Sequence, residues 1–209
     1  MTIVVDSLQG RKESEAWEAD YFRTRRNRVL RRRRMRAFGF QPSERIAELG
    51  CGDGLNLEIL RAEGCGRLLG LDISLQLLAH VPATAVAAAD MYRLPLRDAS
   101  LDAVLVDSVL HHLQPLFPAL EELARVLRPG GRACILEPRP TFLRRGFEWA
   151  MDHVPFPPPL QARQRTYLEE REVDQAWNRY FPRLEGDLDA AGLEVVHARG
   201  LPVGVALQC

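Results

Sequence analysis

Lysine is almost missing from this chain of 209 residues: Lys12 is the only one, and every other basic side chain is arginine. Long apolar runs are missing too. No stretch approaches the roughly 18–20 hydrophobic residues that cross a bilayer, and no apolar segment precedes a small-residue cleavage site near Met1. The chain is therefore expected to have no membrane span and to stay in the cytoplasm. Cysteine is sparse, and Cys51, Cys65, Cys134 and Cys209 are scattered, with no C-x-x-C pair and no histidine at ligand spacing. That argues against both a zinc site and a disulfide framework, and it suits a reducing compartment. There is no fixed-period repeat, and the biased stretches are short, at Arg31 to Arg34 and Pro157 to Pro159. Net charge is also absent, with 28 basic residues against 28 acidic ones. A uniformly cationic polyanion binder is thereby disfavoured.

The zero is a sum of two unequal parts. Residues 1–45 hold 12 basic and 6 acidic side chains, so the acidic remainder carries the compensating excess. In residues 11–38 the acids Glu13, Glu15, Glu18 and Asp20 come first and the arginines follow, which complements a helix dipole running from an N-cap at Ser14 to a stop at Gly39. This predicts a basic N-terminal helix over 11–39, continuous or broken once. Nine arginines among residues 23–36 also form a candidate electrostatic footprint for RNA. Packing helix and partner surface both remain open from the sequence.

From Ile46 onward, short apolar runs alternate with helical patterns, the rhythm of a parallel sheet with crossover helices. Strands are expected near 46–49, 67–71, 85–89, 103–106, 133–136, 193–198 and 203–208. Helices fit from Leu55 to Ala62 with Gly64 beyond, from Ser74 to His80, and from Pro115 to Leu127 with a stop at Pro129-Gly130-Gly131. A final helix should precede Gly192. The chain divides into a core over 40–137, an aromatic-rich insertion over 138–183 and a closing segment over 184–209. Within the insertion, Val173, Ala176, Trp177, Tyr180 and Phe181 share one helix face.

The chemistry concentrates where the first strand ends. Ile46-Ala47-Glu48-Leu49-Gly50-Cys51-Gly52-Asp53-Gly54 runs a strand into a glycine-rich turn and on into a helix. Glycines there permit positive φ and close approach of a ligand to backbone. The second strand ends on Asp72, where nucleotide-binding α/β folds place an acid for the ribose hydroxyls. A dinucleotide fingerprint is G-x-G-x-x-G, whereas this turn is G-x-G-x-G flanked by Glu48 and Asp53. Carboxylates are a poor cradle for a diphosphate, so the turn suits a ligand with an ammonium group and no phosphate.

That turn resembles motif I of the class I S-adenosylmethionine-dependent methyltransferases. Asp90-Met91, the stretch LPLRDASLDAVLVDSVLHHL and the stretch LRPGGRACILEP extend the likeness over about residues 40–137. The small-molecule branch, with its quinone-biosynthesis and natural-product enzymes, is the most similar. The resemblance implies an α/β fold, a doubly wound, seven-stranded, mostly parallel Rossmann-like sheet, with an N-terminal helix and a helical lid between the fifth and sixth strands. It implies S-adenosyl-L-methionine as cofactor, its methionyl end held by Glu48 and the Gly50, Cys51 and Gly52 backbone. Asp72 would hold the ribose, Asp90 the adenine amino group, and Ile73 and Met91 the faces of the base. Asp107 and Ser108 would lie beside the sulfonium. His111 and His112 are the candidate general bases, with His153 a lesser one, for an acceptor that must lose a proton.

Each of these residues also suits a plain structural role. Asp72 and Asp90 fit turn caps, Met91 fits core, Asp107 fits a helix cap, Cys51 fits a small packed residue, and one histidine fits a helix start. The expected acceptor is a small molecule, apolar or aromatic, with Arg144, Arg145, Arg163 and Arg165 available for an anionic group. Two alternatives stand beside it: an RNA or ribosome-associated methyltransferase using the basic segment, and a non-catalytic subunit that binds S-adenosylmethionine. Asp107-Ser108-Val109-Leu110 lacks the Asn/Asp-Pro-Pro-aromatic pattern of adenine and glutamine methylation. A nicotinamide oxidoreductase would need a diphosphate at the glycine turn.

Overall fold

The computed structural model describes residues 24–81, 85–195, 197–200 and 204–208. Helix α1 (Arg25–Phe38) opens the described chain. Thr24, in non-helical geometry, accepts the Asn27 amide on its Oγ1, and Gly39 closes the helix in the left-handed region. The expected helix over 11–38 is thus interrupted at Thr24, because a residue at φ −57°, ψ 147° cannot continue a helical turn. The expected cap at Ser14 and residues 11–23 lie outside the described residues.

The core then alternates as the pattern requires: β1 (Arg45–Leu49), α2 (Leu55–Ala62), β2 (Arg67–Asp72), α3 (Leu75–Leu78), β3 (Ala85–Ala88) and β4 (Leu101–Asp107). A 3₁₀ turn (Leu110–His112) leads to α4 (Phe117–Val126) and β5 (Leu127–Pro138). Two helices follow, α5 (Phe142–His153) and α6 (Pro158–Tyr180), then α7 (Leu184–Ala190), β6 (His197–Gly200) and β7 (Gly204–Gln208). The sheet order is β3-β2-β1-β4-β5-β7-β6. The first five strands in that order are mutually parallel, and β7 lies antiparallel to both β5 and β6. This is a Rossmann-like sheet.

Two boundaries differ from the sequence reading. The chain enters β5 at Leu127 directly from α4, so Pro129-Gly130-Gly131 lies inside that strand and does not form a loop. A bulge between Leu101 and Ala103 absorbs the extra residues, with Leu101 opposite Leu127 and Ala103 opposite Arg132. The strand expected at 193–198 starts at His197, because Leu193 packs back against α7 through its amide bond to the Leu188 carbonyl.

Strand pleating sorts the core into two layers. Ala47, Leu49, Val104, Val106, Ala133 and Ile135 face α4, α7 and Trp177 on one side of the sheet. Ile46, Ala103, Leu105, Cys134 and Leu136 face α1 and α2 on the other, together with Met35, Phe38, Leu57 and Leu60. The same parity puts Glu48 and Asp107 on the α1/α2 side. Among the described residues, Cys51, Cys65 and Cys134 are buried thiols outside any disulfide.

The insertion is helical and anchored at its far end. Trp177 is buried, and its Nε1 donates to the Pro138 carbonyl at 2.6 Å, tying α6 to the end of β5. Trp177 also stacks on Tyr180 and meets Phe181 edge-on, as the shared helix face predicts. Arg144 of α5 bonds Glu148 at 2.7 Å and Asp174 of α6 at 2.5 Å, which holds the two helices together. It therefore serves as an internal tie and not as the anion anchor its sequence neighbours suggested.

Leu105 is fully buried in the central strand β4. Leu105→Ala is expected to lose about 2–5 kcal/mol of stability, the usual scale for a core leucine, and denaturant unfolding would measure it.

Candidate functional site

The order β2-β1-β4 reverses the direction of winding at β1, so the carboxyl ends of β1 and β4 form the crevice where open α/β sheets bind ligands. Leu49 and Asp107 end these strands side by side. The glycine turn follows β1 immediately. Gly50 has φ +70°, and a Cβ there would lie 2.3 Å from Val109 Cγ2, so only glycine lets this turn rest against the segment after β4. Gly52 also has positive φ, but its Cβ direction is open within 4 Å.

The turn points its amides inward. Gly50 and Cys51 N–H donate to the Leu71 carbonyl at 2.7 and 3.0 Å, Gly52 N–H to Asp72 Oδ2 at 2.8 Å, and Gly54 N–H to the Cys51 carbonyl at 2.9 Å. Asp53 accepts the Leu55 amide at 3.3 Å in the turn that leads into α2. A phosphate needs donors, and these are spent within the protein. What the turn presents instead is acceptor groups, which suits a cation. Cys51 is packed, its thiol pushed well above the ordinary range, first by burial and then by Glu48 and Asp72 nearby. It acts as a small core residue.

Asp72 sits at the tip of β2. Its Oδ2 accepts from Gly52 and its Oδ1 from the Ser74 amide at 2.8 Å, so it clamps two turns together while each oxygen keeps a second lone pair. Ile73 beside it is 77% exposed, far more than a core isoleucine would be. Asp90 is exposed and accepts the Tyr92 amide at 2.9 Å. Met91 is buried within the sheet's α4-side core, which is its structural role.

Glu48 and Asp107 meet on the α1/α2 face. Asn56 of α2 donates its Nδ2 to Glu48 Oε1 at 2.8 Å and to Asp107 Oδ2 at 3.0 Å. Arg31 of α1 donates Nη1 to Asp107 Oδ2 at 2.5 Å and to Asn56 Oδ1 at 3.1 Å. Ser108, at φ +63°, donates its hydroxyl to Asp107 Oδ1 at 3.1 Å. Among the described residues, Glu48 Oε2 is buried without a hydrogen-bond partner. The Glu48 carboxyl is pushed up to about 8, first by burial and then by Asp107, against lowering by the Asn56 bond and by Arg31. An unpaired carboxyl oxygen in this crevice is the orphaned acceptor that a ligand cation would satisfy.

The two histidines lie at the 3₁₀ turn after β4. His111 is buried, with Nδ1 at 2.7 Å from Glu137 Oε2, and its ring lies 4.0 Å from that of His112 and 6.1 Å from Trp177. His112 is exposed. Glu137, at the end of β5, also accepts the Val109 and Leu110 amides at 2.8 and 2.7 Å. The cap expected of Asp107 is thus supplied by Glu137, because pleating turns Asp107 to the opposite face. His153 lies at the end of α5, stacked on Trp149 and bonded to its carbonyl.

Sequence reasoning did not single out Arg31, Asn56 or Glu137. A signal was available for Glu137, a lone carboxylate ending the strand ACILEP. Asn56 and Arg31 carry none, since each is one polar residue on an amphipathic helix. Four of the eight arginines of α1 pair with acids: Arg28 with Glu58, Arg32 and Arg36 with Glu63, and Arg31 with Asp107. Arg145 and Arg165 are exposed, and the Arg163 side chain lies outside the described residues.

The chain is similar to known proteins over its core. Residues 47–135 match the methyltransferase domain family. A demethylmenaquinone methyltransferase of Beutenbergia cavernae is 35% identical over 115 residues, 53% of this chain and 48% of that protein. A probable S-adenosylmethionine-dependent methyltransferase of Mycolicibacterium smegmatis is 34% identical over 166 residues, 78% of this chain and 56% of that one. The chain spans about half the length of these two curated relatives. A solved S-adenosylmethionine-dependent methyltransferase structure from Aquifex aeolicus shares the fold, with a TM-score of 0.61 at 17% identity, over 85% of this chain and 88% of that one.

Two outcomes are expected from stability measurements. Gly50→Ala and Gly52→Ala both force a side chain into positive φ, but Gly50→Ala also meets Val109, so urea unfolding should show it roughly 1–3 kcal/mol less stable than Gly52→Ala. For Glu48 the folded value of about 8 lies above the ordinary 4.5. Its contribution is therefore complete below about pH 4.5 and lost as pH rises through 8. Glu48→Gln, which stays neutral, should match the parent in acid and exceed it in stability at pH 8, by thermal unfolding across that range.

Proposed function

We propose that this chain, which belongs to the class I S-adenosylmethionine-dependent methyltransferases, moves a methyl group from S-adenosyl-L-methionine to a small-molecule acceptor. The observation that carries the reading is the glycine turn whose Gly50, Cys51, Gly52 and Gly54 amides are bonded within the protein, beside Glu48, Asp72 and Asp107. Such a turn accepts an ammonium and ribose hydroxyls and offers nothing to a diphosphate. When bound, the cofactor supplies an electrophilic methyl group on a sulfonium with a good leaving group.

The chain's own residues then have to bind, orient and exclude water. Glu48 and the Gly50, Cys51 and Gly52 backbone take the methionyl end, where a cation draws the proton off Glu48 and pairs the orphaned oxygen. Asp72 uses its second lone pairs for the ribose. Asp90 receives the adenine amino group, and exposed Ile73 packs on the base. Asp107 and Ser108 flank the reactive centre at the end of β4. Glu137 fixes the His111 ring through Nδ1 and so directs Nε2 as the nitrogen left to hold a proton, which is how a general base is oriented. His111 is the base for an acceptor that must be deprotonated, with the His112 ring tilted against it.

The helices α5 and α6 form the acceptor's cover, seated on the site through Trp177 beside His111. An acceptor of apolar or aromatic type suits that surface, and the relationship to the Beutenbergia cavernae enzyme, named for demethylmenaquinone, points the same way. The pairing of four α1 arginines with Glu58, Glu63 and Asp107 supports a packing role for this segment, and with it the small-molecule reading over an RNA substrate.

Titration calorimetry on the full chain tests the assignment. S-adenosylmethionine should bind and a nicotinamide dinucleotide should not. Asp72→Ala should weaken S-adenosylmethionine about tenfold or more, the scale of a lost charge-assisted hydrogen bond. Unchanged affinity in that variant would remove Asp72 from the site, and binding of the dinucleotide instead would overturn the cofactor.

A further inference from the structure

Helix α5 is built inside out. Its charged side chains turn inward: Arg144 and Glu148 are largely enclosed, bonded to each other and to Asp174 and Asn178 of α6. Its apolar side chains turn outward, with Phe142 93%, Leu143 72% and Trp149 60% exposed. Helical spacing joins them into one face. Phe142, Gly146 and Trp149 stand at i, i+4 and i+7, and Leu143, Phe147 and Ala150 repeat that spacing one residue on. Single exposed apolar side chains are ordinary on a protein surface. A stripe running the length of a helix, about 18 Å here, marks a contact surface.

The charges around this face decide what it meets. Residues 139–168 contain five arginines and two acids. Both acids are engaged, Glu148 with Arg144 and Asp152 with Arg171. Arg139, Arg145 and Arg165 are exposed, and none has an acidic partner among the described residues. Arg145 stands on the rim of the stripe, three residues after Phe142 and four before Trp149. An apolar face rimmed by unpaired cations complements a surface that is anionic outside and apolar beneath, as a bilayer containing acidic lipids is. A second copy of the chain is a poorer occupant. A two-fold contact through this face would bring the same cations together, with no acid of the segment left to pair them. RNA is poorer as well, because a polyanion is held by closely spaced cations and gains nothing from an aliphatic and aromatic stripe. Among the described residues no helix is long and apolar enough to cross a membrane, so the fit is to its surface.

We infer that α5 docks this protein on the surface of a membrane containing anionic lipids, lying flat with Phe142, Leu143 and Trp149 sunk among the headgroups and Arg145 at the lipid phosphates. Three residues separate α5 from β5, and Trp177 of the adjoining α6 bonds the Pro138 carbonyl that ends that strand. The docking face therefore belongs to the edge of the sheet that carries the site. Docking there brings the crevice to the phase in which an apolar acceptor dissolves. That consequence rests on the proposed methyltransferase reading, whereas the docking does not.

Flotation of the full chain with lipid vesicles tests the inference. Vesicles of phosphatidylcholine and phosphatidylglycerol in equal parts should carry the protein, phosphatidylcholine alone should carry it about tenfold less, and added salt should release it. Phe142→Ser combined with Trp149→Ser should weaken binding to the mixed vesicles about tenfold or more. Arg145→Glu should remove most of the difference between the two vesicle types. Trp149→Phe, which stays apolar, should still bind but lose most of the blue shift that mixed vesicles cause in the parent's tryptophan emission. The substituted side chains are exposed, so each variant should unfold at the parent's temperature, which separates lost docking from lost fold. A parent chain that ignores both vesicle types, or variants that bind as the parent does, would overturn the inference. So would a parent dimer, seen by sedimentation velocity, that vesicles do not engage and the double variant breaks, since the face would then belong to a second copy. Failure of the parent to bind S-adenosylmethionine is a separate result, which overturns the methyltransferase reading and leaves the docking standing.

Discussion

Two carboxylates on adjacent strands have to share one buried face, and the site is organised around that constraint. Glu48 and Asp107 stand at the ends of β1 and β4 with the same pleat parity, so both point toward α1 and α2. Left alone they would repel each other in a poorly hydrated crevice. Asn56 bridges them with one amide nitrogen, and Arg31 neutralises Asp107 from the second helix. The remaining imbalance falls on Glu48, whose carboxyl is raised first by burial and then by Asp107, and whose Oε2 has no partner among the described residues. The docking of α1 and the electrostatics of the crevice are therefore parts of one arrangement.

The opposite parity builds the other half of the site. Glu137 ends β5 on the α4 side, where it holds the backbone of Val109 and Leu110 and the ring of His111. Trp177 then packs on that ring and ties α6 to Pro138. The Glu48–Asp107 network and the Glu137–His111 pair thus lie on opposite faces of the sheet and meet at its carboxyl edge. Val109 joins them, because its side chain rests where a Gly50 Cβ would be. A change at this contact reaches both halves.

The neutral total charge has a structural meaning in this light. The basic excess of residues 1–45 and the acidic excess of the rest meet, in part, as ion pairs between α1 and the core. Three of those pairs are exposed and individually weak. The fourth is enclosed and lies in the crevice. Composition alone treats all four arginines alike, and only their depth separates them.

The parallel core was legible because its signals are local. A strand, a glycine turn and a helix follow one another from Ile46 to Ala62, and the periods of two and 3.6 residues mark which residues face inward. Asp72 was readable because it ends a strand, Asp90 because it follows one, and Trp177 because it sits on an apolar helix face. Local pattern misplaced the start of β5, since a bulge let Pro129-Gly130-Gly131 be drawn into the strand, and it offered Asp107 as an alternative cap where Glu137 accepts the amides. By itself the sequence determined the strand order's raw material, the glycine turn and the acidic strand ends, all properties of neighbouring residues. Only the tertiary structure decided that Arg31, Asn56, Glu48 and Asp107 form one network, because the hydrogen bonds joining them span 8 to 76 residues of chain and depend on how two helices settle on one face of a sheet.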